Sequence, residues 1–280
     1  MLGYGYYSGV FSTLDEVKIP LSDRSYFFGD AVYEVCLGSG GKIYQLKEHT
    51  ERLKSSLAAV KIALPDDLKR LPDIASELIK KSGLPVYIIY LQIGRVGETR
   101  QHCPASLSSS KMLVALFPAE MPKREEVSLV TEPDRRYRYC NVKTVNLLPA
   151  VLSSQRAEEY GADETVYVRD GYVTECSHSN VMILKDGILI APPPCEAVLP
   201  GITRATVLRI AESIGIPVKE ELFESAELFG ADEVFISSTT KLLRRATTID
   251  GRDLPQKGGD IYSELAGALI KDLKDACLRG

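Results

Sequence analysis

Apolar residues along this chain recur with two periods, which together predict an irregular succession of helices and strands. Helical spacing covers residues 47–62, 66–81, 150–160 and 259–278, and further helices are expected to begin near residues 203 and 225. Short alternating or continuous apolar runs predict strands at residues 6–11, 17–19, 31–36, 85–93, 111–117, 127–131, 164–168, 172–175, 180–184, 188–191 and 233–236. Because no regular strand–helix–strand repeat is present, the pattern favours an α+β fold over a doubly wound sheet.

Residues 118–123 separate two halves of this pattern. The segment contains two prolines and no apolar period, which is typical of an interdomain linker. We therefore predict a small N-terminal domain over residues 1–117 and a larger C-terminal domain over residues 124–280. In the larger domain, Asp-Gly turns between short strands predict an antiparallel meander over residues 164–191.

A single lysine, Lys143, lies among apolar neighbours near the middle of the chain. The period-two order of residues 142–147 predicts a strand, with Lys143 on the same inward face as Val145 and Leu147. An inward lysine costs several kcal/mol unless it is paired, neutralised or bonded covalently. Two interpretations follow: a strand-end lysine that extends its ammonium to solvent, or a lysine that forms a Schiff base with a cofactor aldehyde.

Two segments have the chemistry of a phosphate site. In residues 199–204 a glycine turn opens a helix, whose first backbone N–H groups and positive dipole end suit an anion. Residues 237–240 place four hydroxyl side chains after an apolar strand, and Arg52 on the polar face of the first long helix is a third candidate. Each feature has an ordinary alternative: helix capping by Thr203, a serine- and threonine-rich loop, and an exposed arginine.

Two further segments carry charged residues suited to a cofactor ring or an amino acid. Glu175 ends a predicted strand before a run of small polar residues, where its carboxylate either suits a protonated pyridine nitrogen or faces solvent. Arg100 and His102 lie two apart in the loop between two predicted strands. In an extended segment their side chains point the same way and form a positive clamp for a carboxylate, unless they make salt bridges within the loop.

Composition narrows the class of protein. The 280 residues carry a net charge of −4 without a basic cluster, which argues against nucleic-acid binding. The apolar runs are too short to span a membrane, and the N-terminal residues lack the pattern of a signal peptide. Six scattered cysteines without a CxxC pair, and only three histidines, predict reduced thiols, no metal site and a cytoplasmic location.

Several of these motifs, taken in order, resemble the fold-type IV, pyridoxal-phosphate-dependent aminotransferases (class IV). The resemblance covers nearly the whole chain and rests on residues 23–35, the Lys143 stretch, Thr174-Glu175 before Ser179-Asn180, residues 199–204 and residues 237–240. It implies a small N-terminal α/β sandwich domain, a larger C-terminal pseudo-barrel domain, the cofactor pyridoxal 5′-phosphate and a homodimer.

The resemblance also implies a role for each candidate residue. Lys143 would form the Schiff base with the cofactor and move the substrate proton. Glu175 would face the pyridine nitrogen, and Leu199 would pack on the ring. The phosphate would be bound by Arg52, Ile202, Thr203, Thr239 and Ser238.

The Arg-X-His pair is similar to that of the D-amino acid aminotransferases within this family. In that group the pair comes from the neighbouring subunit and binds the substrate α-carboxylate together with a tyrosine; here these residues are Arg100, His102 and Tyr33. The implied reaction is a reversible, ping-pong transfer from D-amino acids to 2-oxo acids, in which D-alanine and 2-oxoglutarate give pyruvate and D-glutamate. Three alternatives remain: a branched-chain L-amino acid aminotransferase, an aminodeoxychorismate lyase and a cofactor-free binding protein on the same scaffold.

Overall fold

A computed structural model describes residues 3–97, 100–103 and 109–278 of the chain. The chain divides into two compact units. The first comprises Met1–Met121, Val142–Asn146 and Lys274–Gly280, and the second comprises Pro122–Asn141 and Leu147–Leu273. Val142–Asn146, the lysine segment, thus belongs to the first unit, although it lies in the half of the sequence assigned to the C-terminal domain. The predicted linker at residues 118–123 and the domain limits beside it stay a prediction.

The first unit contains an antiparallel sheet of six strands in the order β2-β1-β6-β5-β3-β4. The strands are β1 (Tyr4–Tyr7), β2 (Val10–Thr13), β3 (Ala31–Ser39), β4 (Lys42–Ile43), β5 (Val86–Arg95) and β6 (Ser110–Pro118). The helices are α1 (Arg24–Phe28), α2 (Leu46–Ala59) and α3 (Leu71–Ser82), with 3-10 helices at Leu14–Glu16 and Asp66–Arg70. The strand predicted at residues 6–11 is wrong, because a turn at Ser8 and Gly9 divides it into the antiparallel strands β1 and β2. The strand predicted at residues 17–19 is also wrong, because these residues follow a 3-10 helix and stay outside the sheet.

The core of the first unit lies between its sheet and the helices α2 and α3. Leu53 and Leu57 of α2, and Ile74 and Leu78 of α3, are at most 1% exposed. Each pair is spaced by four residues and therefore shares one face of its helix. Ile89, Leu91, Ile93, Val114 and Leu116 of the sheet belong to the same cluster. Each such side chain contributes about 1.5–3 kcal/mol by leaving water.

The lysine segment is not a regular strand, so the strand predicted there is wrong. An isolated bridge pairs it with β3, and the Tyr33 N–H donates to the Lys143 carbonyl oxygen at 2.9 Å. The predicted facing is also wrong: Val142 is 6% exposed within the core, whereas Leu147 is 41% exposed. The chain is anchored by Val142 and then turns into the helix that begins at Leu148. The alternation of apolar and polar residues over 142–147 therefore does not indicate which side chains face the core.

The second unit contains a mixed sheet of nine strands. They are β7 (Glu126–Pro133), β8 (Glu164–Arg169), β9 (Tyr172–Cys176), β10 (Asn180–Lys185), β11 (Ile188–Ala191), β12 (Val218–Glu220), β13 (Glu233–Ser238), β14 (Leu242–Ile249) and β15 (Arg252–Asp253). The helices are α4 (Leu148–Glu159), α5 (Ile202–Ser213), α6 (Glu227–Gly230) and α7 (Gly259–Leu278). Within the described residues, no helix has both the length and the apolar character that crossing a membrane requires.

The strand order of the second unit corrects the predicted meander. The order is β12-β11-β10-β13-β14-β7-β8-β9, with β15 on β14. The hairpins β8–β9 and β10–β11 therefore lie in different parts of the sheet, because β10 takes β13 as its second neighbour. Parallel pairs join β14 to β7 and β7 to β8. A mixed sheet with helices in irregular order confirms the α+β class.

Candidate active site

The predicted site residues divide between the two units. The first unit holds a lysine, a tyrosine and three basic side chains: Lys143, Tyr33 on β3, Arg52 on α2, and Arg100 and His102 after β5. The second unit holds a carboxylate, a helix N-terminus and a hydroxyl turn: Glu175 on β9, Leu199, Ile202 and Thr203 around the start of α5, and Ser238 and Thr239 at the end of β13.

Lys143 lies next to Tyr33. Its Nζ is 3.4 Å from the Tyr33 Oη and 4.4 Å from the centroid of the tyrosine ring. The Lys143 backbone is fixed at the same place, because its N–H donates to the Ser56 Oγ at 3.3 Å. The Tyr33 ring in turn stacks on Tyr90 with centroids 5.6 Å apart. The lysine side chain is half-buried, so its stem is held while its amine can meet a ligand.

Arg52 is bound by Glu34, a residue to which no sequence pattern assigns a role. Glu34 is 0% exposed, and its Oε2 accepts a hydrogen bond from the His49 Nδ1 at 2.7 Å. Burial raises the pKa of Glu34, but hydrogen bonds from Arg52 and His49 outweigh burial and lower the pKa to about 2. Burial also lowers the pKa of His49. The Arg52 side chain is 11% exposed, so the alternative of an exposed arginine is wrong.

Arg100 and His102 contact the aromatic rings of α1. The Arg100 guanidinium carbon lies 5.2 Å from the centroid of the Phe28 ring, and the His102 ring is 5.3 Å from the same centroid. The backbone of this segment accepts hydrogen bonds from Arg24, at the carbonyl oxygens of Gln101 and His102. Tyr33 instead contacts Lys143 and Tyr90. A clamp formed by these two residues with Tyr33 therefore stays a prediction.

Glu175 is buried, at 6% exposed, so the alternative of a solvent-facing glutamate is wrong. Its Oε1 forms an ion pair with Arg136, and its Oε2 accepts the Leu199 N–H at 3.0 Å and the Asn180 side-chain N–H at 3.2 Å. Burial lowers the pKa of Arg136, but hydrogen bonds to Asp134 outweigh burial and hold it above its ordinary value. Arg136 is a further site residue, and its only signal in the sequence is the charged run at residues 134–138.

The N-terminus of α5 presents backbone donors. Gly201 is its N-cap residue and makes no side-chain cap hydrogen bond, and Thr203 lies within the helix, so the alternative of capping by Thr203 is wrong. The first-turn N–H groups, which include Ile202 and Thr203, have no acceptor within the helix. A Cβ atom at Gly201 would lie 1.8 Å from the Asn180 Oδ1. A side chain at this position would therefore displace the Asn180 amide.

Lys241 connects the hydroxyl turn after β13 to β8. The Lys241 N–H donates to the Ser238 Oγ at 3.3 Å, while its Nζ donates to the Glu164 Oε2 at 2.5 Å and lies 2.8 Å from the His178 Nε2. Because an ammonium group can only donate, the His178 Nε2 accepts and its proton lies on Nδ1. Glu164 is 0% exposed. A buried ion pair thus fixes the turn that carries Ser238.

Comparisons with known proteins show which proteins this chain is similar to. The model of the family described as Amino-transferase class IV matches residues 31–249. A D-alanine aminotransferase of Listeria monocytogenes serotype 1/2a (strain 10403S) is 35% identical over 271 residues, which cover 94% of this chain and 93% of the relative. A D-alanine aminotransferase of Bacillus licheniformis is 35% identical over 273 residues, which cover 96% of this chain and 94% of the relative.

Solved structures share the fold. A branched-chain amino acid aminotransferase from Escherichia coli superposes with a TM-score of 0.86 at 23% identity, over 96% of this chain and 93% of that chain. A fold IV transaminase from Curtobacterium pusillum gives a TM-score of 0.80 at 21% identity, over 93% of each chain. These likenesses confirm the predicted fold type IV. By its family match and its curated relatives, the chain belongs to the class IV aminotransferases.

Proposed function

We propose that this chain is a pyridoxal-phosphate-dependent D-amino acid aminotransferase, which transfers the amino group of D-alanine to 2-oxoglutarate and gives pyruvate and D-glutamate. The observation that carries the proposal is the match to relatives named D-alanine aminotransferase, at 35% identity over 94% of this chain. Arg100 and His102 support it because they supply a guanidinium and an imidazole for a carboxylate. The branched-chain enzyme from Escherichia coli shares the fold at only 23% identity, so it does not favour that alternative.

The side chains present fit the cofactor. When bound, pyridoxal 5′-phosphate supplies an aldehyde that condenses with amines and a pyridine ring that withdraws electrons. Lys143 offers an amine beside Tyr33, and Glu175 offers a buried carboxylate whose charge Arg136 balances. The first turn of α5 offers N–H groups for a phosphate. Ser238 and Thr239 add hydroxyl donors, and Arg52 adds a guanidinium that Glu34 orients.

We assign to Lys143 the attachment of the cofactor and the movement of the proton at the substrate Cα. A positioned amine accepts and returns a proton at one atom, as a general acid–base step requires. The contact of Nζ with the Tyr33 Oη at 3.4 Å, and the hydrogen bonds between the lysine segment and β3, limit the directions in which the amine moves. With the cofactor and substrate bound, this restraint would direct the Lys143 amine to one face of the substrate.

We assign Glu175 to the pyridine nitrogen and Leu199 to the face of the ring. Arg136 and the Leu199 N–H hold the two carboxylate oxygens of Glu175 in one orientation. An anion at that position favours a protonated ring, and a protonated ring withdraws electrons more strongly. The Leu199 N–H also ties the residue that would pack on the ring to the residue that would bind its nitrogen.

A homodimer completes the proposed site, in which Arg100 and His102 of one copy bind the α-carboxylate beside Tyr33 of the other. The exposed face of α4 supports this proposal. Leu148, Val151 and Leu152 are 68%, 49% and 44% exposed, and their spacing places them on one stripe of the helix. An exposed apolar stripe of this kind indicates a partner surface.

Steady-state transamination by Arg100→Ala tests the assignment. Pyruvate formed from D-alanine and 2-oxoglutarate is measured with a coupled dehydrogenase. The variant is expected to raise KM for both substrates by about 10–100-fold, because both carry an α-carboxylate and a charge-assisted contact is lost. Arg209→Ala is the control, since the Arg209 side chain is 62% exposed on α5.

Three results would contradict the proposal or part of it. Unchanged D-alanine kinetics in Arg100→Ala would show that Arg100 does not bind the substrate carboxylate. Amination of 2-oxoisocaproate from L-glutamate, without turnover of D-alanine, would indicate a branched-chain aminotransferase. Release of 4-aminobenzoate from aminodeoxychorismate would indicate the lyase.

A further inference from the structure

We propose that Arg24 is a positioning residue that fixes the backbone of the Arg100–His102 segment, and that Phe28 assists it. This inference rests on the proposed function of Arg100 and His102 as the carboxylate clamp. It assigns to α1 a part in substrate affinity, although neither Arg24 nor Phe28 is itself proposed to touch the substrate.

All three nitrogen atoms of the Arg24 guanidinium donate hydrogen bonds. Nε donates to the Asp30 Oδ2 at 2.8 Å, and the two terminal nitrogens donate to the carbonyl oxygens of Gln101 and His102, the latter at 2.9 Å. Arg24 is 4% exposed. A planar guanidinium presents its donors in a fixed fork, so the two successive carbonyl groups are held in one orientation. The side chains of Arg100 and His102 project from that same stretch of backbone.

Phe28 forms the second contact between α1 and this segment. The Arg24 guanidinium carbon lies 4.5 Å from the centroid of its ring, and the Arg100 guanidinium carbon lies 5.2 Å from it. The His102 ring is 5.3 Å away. One aromatic ring therefore contacts Arg24 and both members of the proposed clamp. The cation–π contact between the Phe28 ring and the Arg100 guanidinium restricts how the Arg100 side chain moves.

Because Arg24 lies beside a pocket, the conservative variant Arg24→Lys can test its positioning role without loss of the fold. Arg24, Phe28 and His102 line one pocket of about 360 Å³. In Arg24→Lys the ammonium keeps the charge near Asp30 but cannot hold both carbonyl groups in the geometry of the fork. Water from the pocket can then satisfy the released carbonyl group. The fold is retained, but the Arg100–His102 segment (the clamp segment) loses the hydrogen bonds that fix its backbone.

Arg95 provides a matched control within the same unit. Its Nε also donates to the Asp30 Oδ2, at 3.0 Å, and its terminal nitrogens donate to the carbonyl oxygens of Lys61 and Val60, both at 2.9 Å. It is 5% exposed. Arg95→Lys therefore removes the same kind of fork from the same carboxylate, but it releases the turn after α2 and leaves the clamp segment bound.

The test is a double-mutant cycle on the cofactor-loaded protein. KM and kcat for D-alanine and for 2-oxoglutarate are measured for wild type, Arg24→Lys, Arg100→Ala with His102→Ala, and the combination. Arg24→Lys is expected to raise both KM values about tenfold, the cost of one charge-assisted hydrogen bond, with kcat changed far less. In the background that lacks Arg100 and His102, Arg24→Lys is expected to have no further effect on KM. Arg95→Lys is expected to leave KM unchanged.

Each outcome decides the proposal. Unchanged KM in Arg24→Lys, while Arg100→Ala raises it, would overturn the positioning role and leave the clamp intact. An equal effect of Arg24→Lys in both backgrounds, or an equal effect of Arg95→Lys, would show a general loss of structure instead. Unchanged KM in Arg100→Ala would overturn the clamp itself, and the role of Arg24 with it. Should Arg24→Lys fail to fold, Phe28→Leu enters the same cycle with the same expected dependence on Arg100 and His102.

Discussion

Glu34 binds Arg52 through both carboxylate oxygens: the Arg52 Nε lies 2.8 Å from Oε1 and the Arg52 Nη2 lies 2.7 Å from Oε2. This bidentate pair is buried between β3 and α2, where His49 donates to the same carboxylate. Since removal of one partner from a buried pair leaves an uncompensated charge, the pair links the predicted phosphate ligand Arg52 to the stability of the first unit.

Glu34→Gln is expected to remove an acid-dependent part of that stability. The pKa of Glu34 is lowered from 4.5 to about 2 in the folded chain. The stabilisation is therefore fully present above the ordinary pKa and is lost as the pH falls from there towards 2; it amounts to about 3 kcal/mol at most. Urea unfolding at about pH 6 and about pH 3 checks this. The free energy of unfolding should fall less between these conditions in the variant than in wild type, and an equal fall would contradict the account.

Lys241→Met is expected to destabilise the second unit by about 3–5 kcal/mol, because Glu164 would stay buried without its cation. The control is Lys185→Met, whose partner Glu227 lies 2.8 Å away at the surface with both side chains at least 32% exposed. Exposed pairs contribute little. Thermal and urea unfolding measure the loss of stability in each variant. Similar losses in the two variants would contradict the prediction that the Lys241–Glu164 pair stabilises the second unit more than an exposed pair does.

Gly201→Ala is expected to weaken cofactor binding. Its Cβ would lie 1.8 Å from the Asn180 Oδ1, and Asn180 binds both the Glu175 carboxylate and the Leu199 carbonyl oxygen. Titration with pyridoxal 5′-phosphate, followed by absorbance, should show an affinity lowered by about tenfold, as expected for the loss of one charge-assisted hydrogen bond to the phosphate. Gly230→Ala is the control, since a Cβ there meets nothing within 4 Å. Wild-type affinity in Gly201→Ala would show that the α5 start does not hold the phosphate.

Glu175→Gln is expected to lower kcat by on the order of 10²-fold, because an amide cannot stabilise a protonated ring as an anion does. KM for D-alanine should change little, since the residues proposed to bind its carboxylate lie in the first unit. Glu175→Asp keeps the charge and should recover part of the rate. Glu220→Gln, which removes the partner of Arg204 at 2.8 Å, is the matched control. An unchanged kcat in Glu175→Gln would contradict the assignment of Glu175 to the pyridine nitrogen.

The spacing of apolar residues predicts the helices whose buried face is formed by residues close together in the sequence. The helix α7 occupies Gly259–Leu278 as its periodicity predicts, and α2 agrees with its prediction to within three residues. The helix predicted over residues 66–81 is divided, because Asp66–Arg70 is a 3-10 helix and α3 begins at Leu71. The lysine segment was mispredicted, because its course depends on Val142 in the core and on hydrogen bonds from β3, which lies more than a hundred residues earlier. No local alternation encodes such contacts.

Contacts between distant residues also limit how much of the candidate site can be predicted from the sequence. Resemblance to a family supplied Lys143, Glu175 and the segment around α5, because these lie in recognisable motifs. The partners that orient them could not be predicted, because they are distant along the chain. Glu34 is 18 residues from Arg52, and Arg136 is 39 residues from Glu175. These pairs form only when strands and helices are packed.

The most direct test of the central claim is a half-reaction without a ketoacid acceptor. Protein loaded with pyridoxal 5′-phosphate is mixed separately with D-alanine and with L-leucine, and the yellow absorbance is followed, with Lys143→Ala as the control that should not turn over either amino acid. The account predicts conversion to the pyridoxamine form by D-alanine and none by L-leucine. Conversion by L-leucine alone would contradict it, and the branched-chain function would take its place.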